Sequence, residues 1–439
     1  MGYKKAFVVD TSEIEGRLDP FYYKIEFLEM QKKLQKINYK SLSNLATRIL
    51  DGIHKTPKYS EKGLIFLQAN NINEGNIDFT KKLKYISSEW TSEVLRRYTP
   101  KSGDVLITKD GTIGISATVP QNFEDFSIFV SILAIRPKQE LIIPEFLRIM
   151  ISSSIVQQQI LQSTKGAVIS HLLIGEAKNL KIPLPPKETQ NKIIQIMDNA
   201  YKIKKENEKR AKELLASIDT YLLDKLDITL PKEEKIVSFK VDSSEIFGSR
   251  FDPNYQYNKE RTMKSHKFNE KYLSEISFIF KGQSITKSKV IDGIYPVIAG
   301  GQTSPYNSNV YNYEKNIITI SASGAYAGYV WYHNYNIFAS DCSIVKSKDN
   351  VLPKYLFEIL KLKQKEIYKL QHGSAQPHIY PKDIKFLKIP LPPLPIQNEI
   401  ASHIQSLRDE AKHLKKEAKD ILKSAKDEVE VIILKGDVK

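Results

Sequence analysis

The 439-residue chain contains one stretch twice, and that duplication restricts its fold more than any other feature. Lys181-Ile-Pro-Leu-Pro-Pro186 followed by Gln190-Asn191 returns as Lys388-Ile-Pro-Leu-Pro-Pro393 followed by Gln397-Asn398, each matched position lying 207 residues further on. Prolines fix φ, remove backbone donors and hold the preceding residue extended, so each copy predicts a stiff strut that runs into a sharp helix start. Past Pro395 there is no proline or glycine before Gly436. Along that run Ile400, Ile404, Leu407, Ala411, Leu414, Ala418, Ile421 and Ala425 are spaced alternately four and three residues apart, the seam of a coiled coil. The same phase in the first copy gives Ile193, Met197, Ala200, Lys204, Asn207, Ala211, Leu214 and Ile218, apolar at both ends and polar in the middle. Such a seam needs a partner, and the other copy is the nearest one. Lys204 and Asn207 at seam positions either fix the register or face a different protein.

The repeat reaches further than the struts. Phe7-x-Val9-Asp10-x-Ser12-Glu13-Ile14-x-Gly16-Arg17-Leu18-Asp19-Pro20 recurs as Phe239-x-Val241-Asp242-x-Ser244-Glu245-Ile246-x-Gly248, then Arg250-Phe251-Asp252-Pro253. Two halves thus begin alike and end alike. Between the matched ends each half holds a segment that differs far more. In the first, Tyr39 to Leu180, the sequence predicts a short helix over Leu42–Leu50, a loop Asp51-Gly-Ile-His-Lys-Thr-Pro57, and strands at Leu64–Gln68, Asp104–Thr108 and Ile128–Arg136, with a helix from about Pro144. In the second, Tyr272 to Leu387, a strand Asn316–Ile320 enters the turn Ser321-Ala-Ser-Gly-Ala-Tyr-Ala-Gly328, and a helix starts near Pro353. The expectation is an α/β (α+β) chain with mixed and antiparallel sheets in two globular parts, an antiparallel pair of long helices between them, and an internal pseudo-twofold repeat.

Charge and composition narrow the chemistry. A formal charge of +15 argues for a polyanionic partner, because clustered lysine and arginine gain free energy by releasing phosphate counterions. The single cysteine, Cys342, allows neither an intrachain disulfide nor a thiolate zinc site and points to a reducing cytoplasm. The most apolar run, Phe126 to Ile135, is too short to span a bilayer, so no membrane association is expected.

The ordered duplication resembles the specificity subunit of Type I restriction-modification enzymes. The resemblance rests on the Ile-Pro-Leu-Pro-Pro struts with Gln190 and Gln397, the GDVLITKDGTIG stretch at Gly103 to Gly114, the two repeated helices, and the alternation of variable and repeated segments. It implies a non-catalytic subunit with two target-recognition domains, each reading one half of a split double-stranded DNA site. It also implies docking of two methyltransferase subunits and, in the full complex, two restriction-translocase subunits. The chain itself would carry no cofactor, with adenosylmethionine, ATP and Mg expected on the partners. The corresponding division is a repeated lead-in at 1–38, a first recognition domain at 39–186, a central helix at 187–227, a link and second lead-in at 228–267, a second recognition domain at 268–393 and a C-terminal helix at 394–435. Two other classes stand beside this reading: a DNA-associated coiled-coil tether without sequence reading, and a self-sufficient DNA methyltransferase or nuclease.

The motifs disfavour the enzyme. Asp19-Pro20-Phe21-Tyr22 and Asp252-Pro253-Asn254-Tyr255 begin like the base-gripping motif of amino-methyltransferases but lack its second proline. No glycine-rich nucleotide loop is present, the histidines show no metal-ligand spacing, and no catalytic or metal residue is expected. Gly111 and Gly114 fit either a tight turn needing positive φ or a turn facing phosphate. His171 and His378 lie in equivalent polar loops and either contact DNA or fix the loop at the base of the strut. The candidate DNA-contacting residues are Lys55, Thr56, Lys109, Thr112, Lys165 and His171 in the first half, and Lys281, Gln283, Gln302, Thr303, Ser323, Gln376 and His378 in the second.

One consequence concerns half of the chain alone. Residues 1–227 should self-associate and direct methylation to an inverted repeat of their own half-site, because both halves share one seam phase. Lys204 and Asn207 then meet their own copies, so this homodimer is weaker than the native pairing. A fragment that stays monomeric in sedimentation, or that yields an asymmetric methylated site, would contradict the shared seam.

Overall fold

The computed structural model describes residues 14, 21–81, 83–87, 90, 99–121, 123, 125–164, 171–231, 238–242, 252–258, 261–373 and 375–435. The repeated lead-in of the first half, apart from Ile14, and most of its counterpart at 239–253 lie outside these residues, as does Lys165. The chain divides into two compact units, residues 1–207 with 416–439 and residues 208–415, so the division falls within both long helices.

The first unit is built around a four-stranded antiparallel sheet in the order Ala46–Asp51, Ile132–Pro137, Val105–Thr108, Ser116–Thr118. Its side chains alternate as the strand period requires. Val105, Ile107, Leu133 and Ile135 enter one core with Phe146, Leu147 and Met150 of the helix Pro144–Ile151. Leu106, Ile132 and Ala134 enter the other core with Leu67, Ile72 and Phe126. The second core belongs to a four-stranded mixed sheet in which Phe126–Ile128 runs parallel to Leu64–Leu67.

The second unit repeats this plan. Ser277–Lys281, Cys342–Ser347, Ile317–Ser321 and Val330–His333 form an antiparallel sheet in that order. Ile318, Ile320 and Val345 face the helix Pro353–Leu362, and Ile317 and Ile344 face the other way. Tyr295–Ile298 pairs in parallel with Phe338–Ala339, as its counterpart does in the first unit.

Two expectations need correction. The predicted helix Leu42–Leu50 is a single turn, Leu42–Leu45, followed by the strand Ala46–Asp51. Thr47 and Ile49 are β-branched, and pairing with Ile132–Pro137 outweighs a weak helical periodicity. The predicted strand Ile128–Arg136 is two strands, Phe126–Ile128 and Ile132–Pro137, because the chain passes at Phe129–Ser131 from the mixed sheet to the antiparallel one.

The long helices span Lys187–Lys225 and Leu394–Lys435. The expected seam is the buried stripe. Ile193, Met197, Ala200, Ala211, Ile218, Ile400, Ile404, Ala411, Ala418 and Ala425 are buried, while Asn207, Leu214, Leu407, Leu414 and Ile421 are half-buried. The stripe also runs past the predicted ends in steps of four, through Leu222 and Leu226 and through Val429 and Ile433. There the helix rests on a broad globular core, which favours the wider stripe of an ordinary surface helix over a coiled-coil seam. In the first unit Asn207 Nδ2 donates to Glu417 Oε2 at 3.1 Å, so one polar seam residue has a specific partner. In the second, Arg210 pairs with Glu410 and Lys225 with Glu399, and numbers that rise on one helix as they fall on the other mark an antiparallel course.

Each strut is a strand closed by a glutamine. Lys181–Pro183 pairs antiparallel with Tyr39–Ser41, and Lys388–Pro390 with Glu270–Tyr272. Gln190, 1% exposed, accepts from Ile143 N at 3.0 Å and donates through Nε2 to Pro185 O at 3.0 Å and Leu141 O at 3.3 Å. Gln397, 0% exposed, repeats the set with Leu352 N at 2.8 Å, Pro392 O at 2.9 Å and Asn350 O at 3.1 Å. One side chain therefore binds the strut to the start of the helix that opens at Pro144 or Pro353. Gln190→Leu has nearly the same volume but strands three partly buried polar groups. With each orphaned group costing about 1–3 kcal/mol, the variant should unfold at clearly lower temperature than Asn191→Leu on the exposed neighbouring position. Equal melting temperatures in calorimetry would show that the clamp contributes little.

Candidate nucleic-acid interface

In both units three loops converge beyond the end of the antiparallel sheet. In the first they are the loop after Asp51, the turn after Thr108 and the segment leading to the strut. Gly52 N donates to Ile132 O, Lys109 N to Ser131 O and Leu172 N to Lys109 O, which fixes the three loops against one another. In the second the same connections are Gly282 N to Cys342 O, Ala322 N to Asp341 O and Ile379 N to Ala322 O. The frame demands glycine at its first position. A Cβ on Gly52 would lie 2.1 Å from Ile128 O, and one on Gly282 would lie 2.1 Å from Ser340 O. Gly111 and Gly114 have positive φ, as the tight-turn reading requires, and Gly324 and Gly328 in the differently spelled turn of the second half do too.

The side chains set on this frame differ between the units. In the first, Asp51 Oδ2 accepts from Lys109 Nζ at 2.9 Å and lies 3.0 Å from His54 Nε2. Burial acts to raise the Asp51 pKa, but the hydrogen bonds and charges of Lys109 and His54 outweigh it and hold the carboxyl below its usual value. Asp110 Oδ1 lies 2.5 Å from His171 Nδ1. In the second unit Lys281 ends the strand where Asp51 ends the first, and Ala322 stands where Lys109 does. Ser323 stands in place of Asp110, binds Asp341 through its hydroxyl and forms a β-bridge to His378, which is bridged in turn to His372.

The described candidates fall at these loops, except Gln302 and Thr303, which lie in the loop after the strand Tyr295–Ile298, and their roles are not equal. Lys55 and Thr56 are exposed beside His54, and Thr112 is exposed in the turn. Lys109 is largely withdrawn into its pair with Asp51. His171 is exposed on one side and held by Asp110. Lys281, Gln283, Gln302, Thr303 and Gln376 are exposed, and Gln302 hydrogen-bonds Tyr368. His378 is half-buried with its ring stacked on Tyr380 at 5.9 Å. The sequence reading missed Asp51, Asp110 and Asp341, the carboxylates that orient these groups. It also missed Gly52 and Gly282, although a glycine following a strand in both halves was a signal that could have found them. Among the described residues no group of histidine, cysteine, aspartate and glutamate could hold a metal ion, and no helix is long and apolar enough to cross a membrane.

Comparison with known proteins agrees with this geometry. The family model described as Type I restriction modification DNA specificity domain matches residues 50–217 and 265–423, one match in each half and well over half the chain in all. The chain belongs to that family of DNA specificity domains. Among curated proteins it is 28% identical over 201 residues to the Type I restriction enzyme EcoBI specificity subunit of Escherichia coli, a match covering 43% of this chain and 42% of that protein. A protein of Mycoplasma pneumoniae named as a type I specificity subunit is 26% identical over 244 residues, covering 54% of this chain and 78% of that one. Among solved structures, one described as the structural basis underlying complex assembly and conformational transition of the type I R-M system covers 91% of this chain and 96% of its own, with a TM-score of 0.55 at 18% identity.

The glycine frame yields a paired prediction. Gly52→Ala forces backbone apart at an overpacked contact and should destabilise the first unit by about 1–3 kcal/mol, while Gly282→Ala does the same to the second. If each unit reads one half of a split DNA target, methylation maps made with the two variants will each lose a different half-site. Loss of both halves from either single change would mean the frames are not independent.

Proposed function

We propose that this chain is the DNA-reading subunit of a Type I restriction-modification complex and that each half reads one part of a split double-stranded target. The observation that carries this is one backbone frame occurring twice with unlike side chains at its loop ends, Asp51, Lys109 and Asp110 in one and Lys281, Ala322 and Ser323 in the other. A repeated frame with unlike side chains is what two different half-sites require, since donors and acceptors at base edges specify sequence while the scaffold positions them. The net charge of +15 supplies the attraction to phosphate.

On this reading residues 39–186 and 268–393 are the recognition domains, and the segments around 187–227 and 394–435 hold them and dock two methyltransferase subunits. Two restriction-translocase subunits complete the assembly, which works in the cytoplasm. The chain performs no catalysis, and adenosylmethionine, ATP and Mg belong to the partners. Lys55, Thr56, Thr112 and His171 are the proposed contacts of the first half, with Lys109 positioned by Asp51. Lys281, Gln283, Gln302, Thr303, Ser323, Gln376 and His378 are those of the second. Lys165 belongs with the first set by its place in the loop before His171.

The test is to express the chain with a methyltransferase subunit, map methylated bases across a genome, and repeat the map after exchanging Tyr39 to Leu180 for the same segment of a relative. One half of the target should change and the other stay. A chimera that alters both halves, or methyl transfer by the purified chain alone, would sink this reading.

A further inference from the structure

Each unit contains a contact between its globular body and the long helix that follows that body, and the two contacts are chemical inverses. Pro144 and Pro353 open equivalent helices, and the fourth residue after each is Arg148 in one and Phe357 in the other. Gln190 and Gln397 are equivalent clamps, and the eleventh residue after each is Tyr201 in one and Arg408 in the other. In the first unit the Arg148 guanidinium lies 5.1 Å from the centroid of the Tyr201 ring, and its Nη1 donates to the Tyr201 hydroxyl at 3.4 Å. In the second unit the Arg408 guanidinium lies 5.4 Å from the centroid of the Phe357 ring. The cation sits on the body and the ring on the helix in one unit, and the reverse holds in the other.

The surroundings are charged to suit each arrangement. Arg148 has a side chain only 1% exposed, and its Nε donates to Glu145 Oε1 at 2.6 Å. The Tyr201 hydroxyl donates to Glu74 Oε1 at 3.4 Å, and Asp198 on the same helix senses both Glu145 and Arg148. In the second unit Arg408 grips Glu358 with both guanidinium nitrogens, one bond measuring 2.7 Å, and the Glu358 side chain is only 5% exposed. Ile149 occupies the place of Glu358 in the first body, so that body has no carboxylate there to satisfy. A carboxylate buried this deeply is strongly destabilising once its cation is removed.

We propose that Tyr201 and Arg408 act as positional keys, each admitting one globular body to its own helix and rejecting the other, a role that goes beyond DNA reading. Setting the second body on the first helix would place Phe357 against Tyr201 and strip Glu358 of its two bonds from Arg408, leaving only Lys361 of the same body to offset the buried charge, with Asp198 nearby instead of Gln405. Setting the first body on the second helix would crowd Arg148 and Arg408 together. The strut lies between each body and its key. A join made within Ile-Pro-Leu-Pro-Pro therefore moves a body without its key, whereas a join beyond Tyr201 or Arg408 moves both.

The experiment uses the full chain with residues 42–186 replaced by a second copy of 273–393, read by thermal unfolding and limited proteolysis. This transplant should melt at least about 5 °C below the original chain. Tyr201→Arg within it should recover half or more of the loss, and Tyr201→Phe none. A transplant as stable as the original, or one that Tyr201→Arg does not improve, overturns the proposal. If the transplant does not fold, the unaltered chain supplies the reading. Arg408→Tyr should lower the melting temperature, and adding Lys354→Glu, Phe357→Arg and Glu358→Ile, which recreates the Glu145, Arg148 and Ile149 set, should raise it again. No recovery in that combined variant equally overturns the proposal.

Discussion

Everything in each unit depends on a single buried amide. The prolines of the strut remove backbone donors and stop the chain from turning, which leaves carbonyls that no regular ladder can reach. Gln190 and Gln397 satisfy those carbonyls and, with the remaining oxygen, cap the amide at the start of a second helix. Strand, helix start and recognition body are thereby fixed by one residue whose donors and acceptor are all used inside the protein. The clamp ties the start of the long helix to the body, and the polar contacts Arg148 with Tyr201 and Glu358 with Arg408 join the same two elements further along.

On such a base the loops are free to differ. The backbone bonds that lock the three loops are the same in both units, and none involves a side chain. Side chains at the rim can then change sign without disturbing the frame, as Asp51 and Lys281 do. Where a carboxylate is present it is tied down: Asp51 by Lys109 and His54, Asp110 by His171, Asp341 by Ser323. Bound carboxylates of this kind orient cationic and polar groups and soften the repulsion a phosphate backbone would meet.

What the sequence disclosed follows from physical range. The strut and the seam are local or periodic signals, so Ile193, Met197, Ile400 and Ile404 could be placed in a buried stripe from spacing alone. The family could be named for the same reason, since an ordered repeat survives changes in the loops. The strand at Ala46–Asp51 was read as helix because its structure is decided by Ile132–Pro137, far away in sequence. The carboxylate partners of Lys109 and His171 were invisible because nothing in a chain of 439 residues marks which aspartate will face which cation. Gln190 and Gln397 were noticed as repeated letters, but their role depends on carbonyls that only the folded strut exposes.

The ends of the long helices carry a consequence for biosynthesis. Val429 and Ile433 belong to the same core as Phe146, Leu172 and Ile193, so the first unit is completed by residues near the end of the chain. A ribosome adding about 5–20 residues per second therefore releases the first body some tens of seconds before the helix that closes it exists. During that interval Ile193, Met197 and Ala200 present an open apolar stripe to whatever is nearby, including another nascent copy of the same segment. The second unit waits far less, since Ile218, Leu222 and Leu226 are made before its body and Ile400 and Ile404 directly after it. Premature termination past Lys415 would thus damage the half of the protein made first and leave the half made last intact.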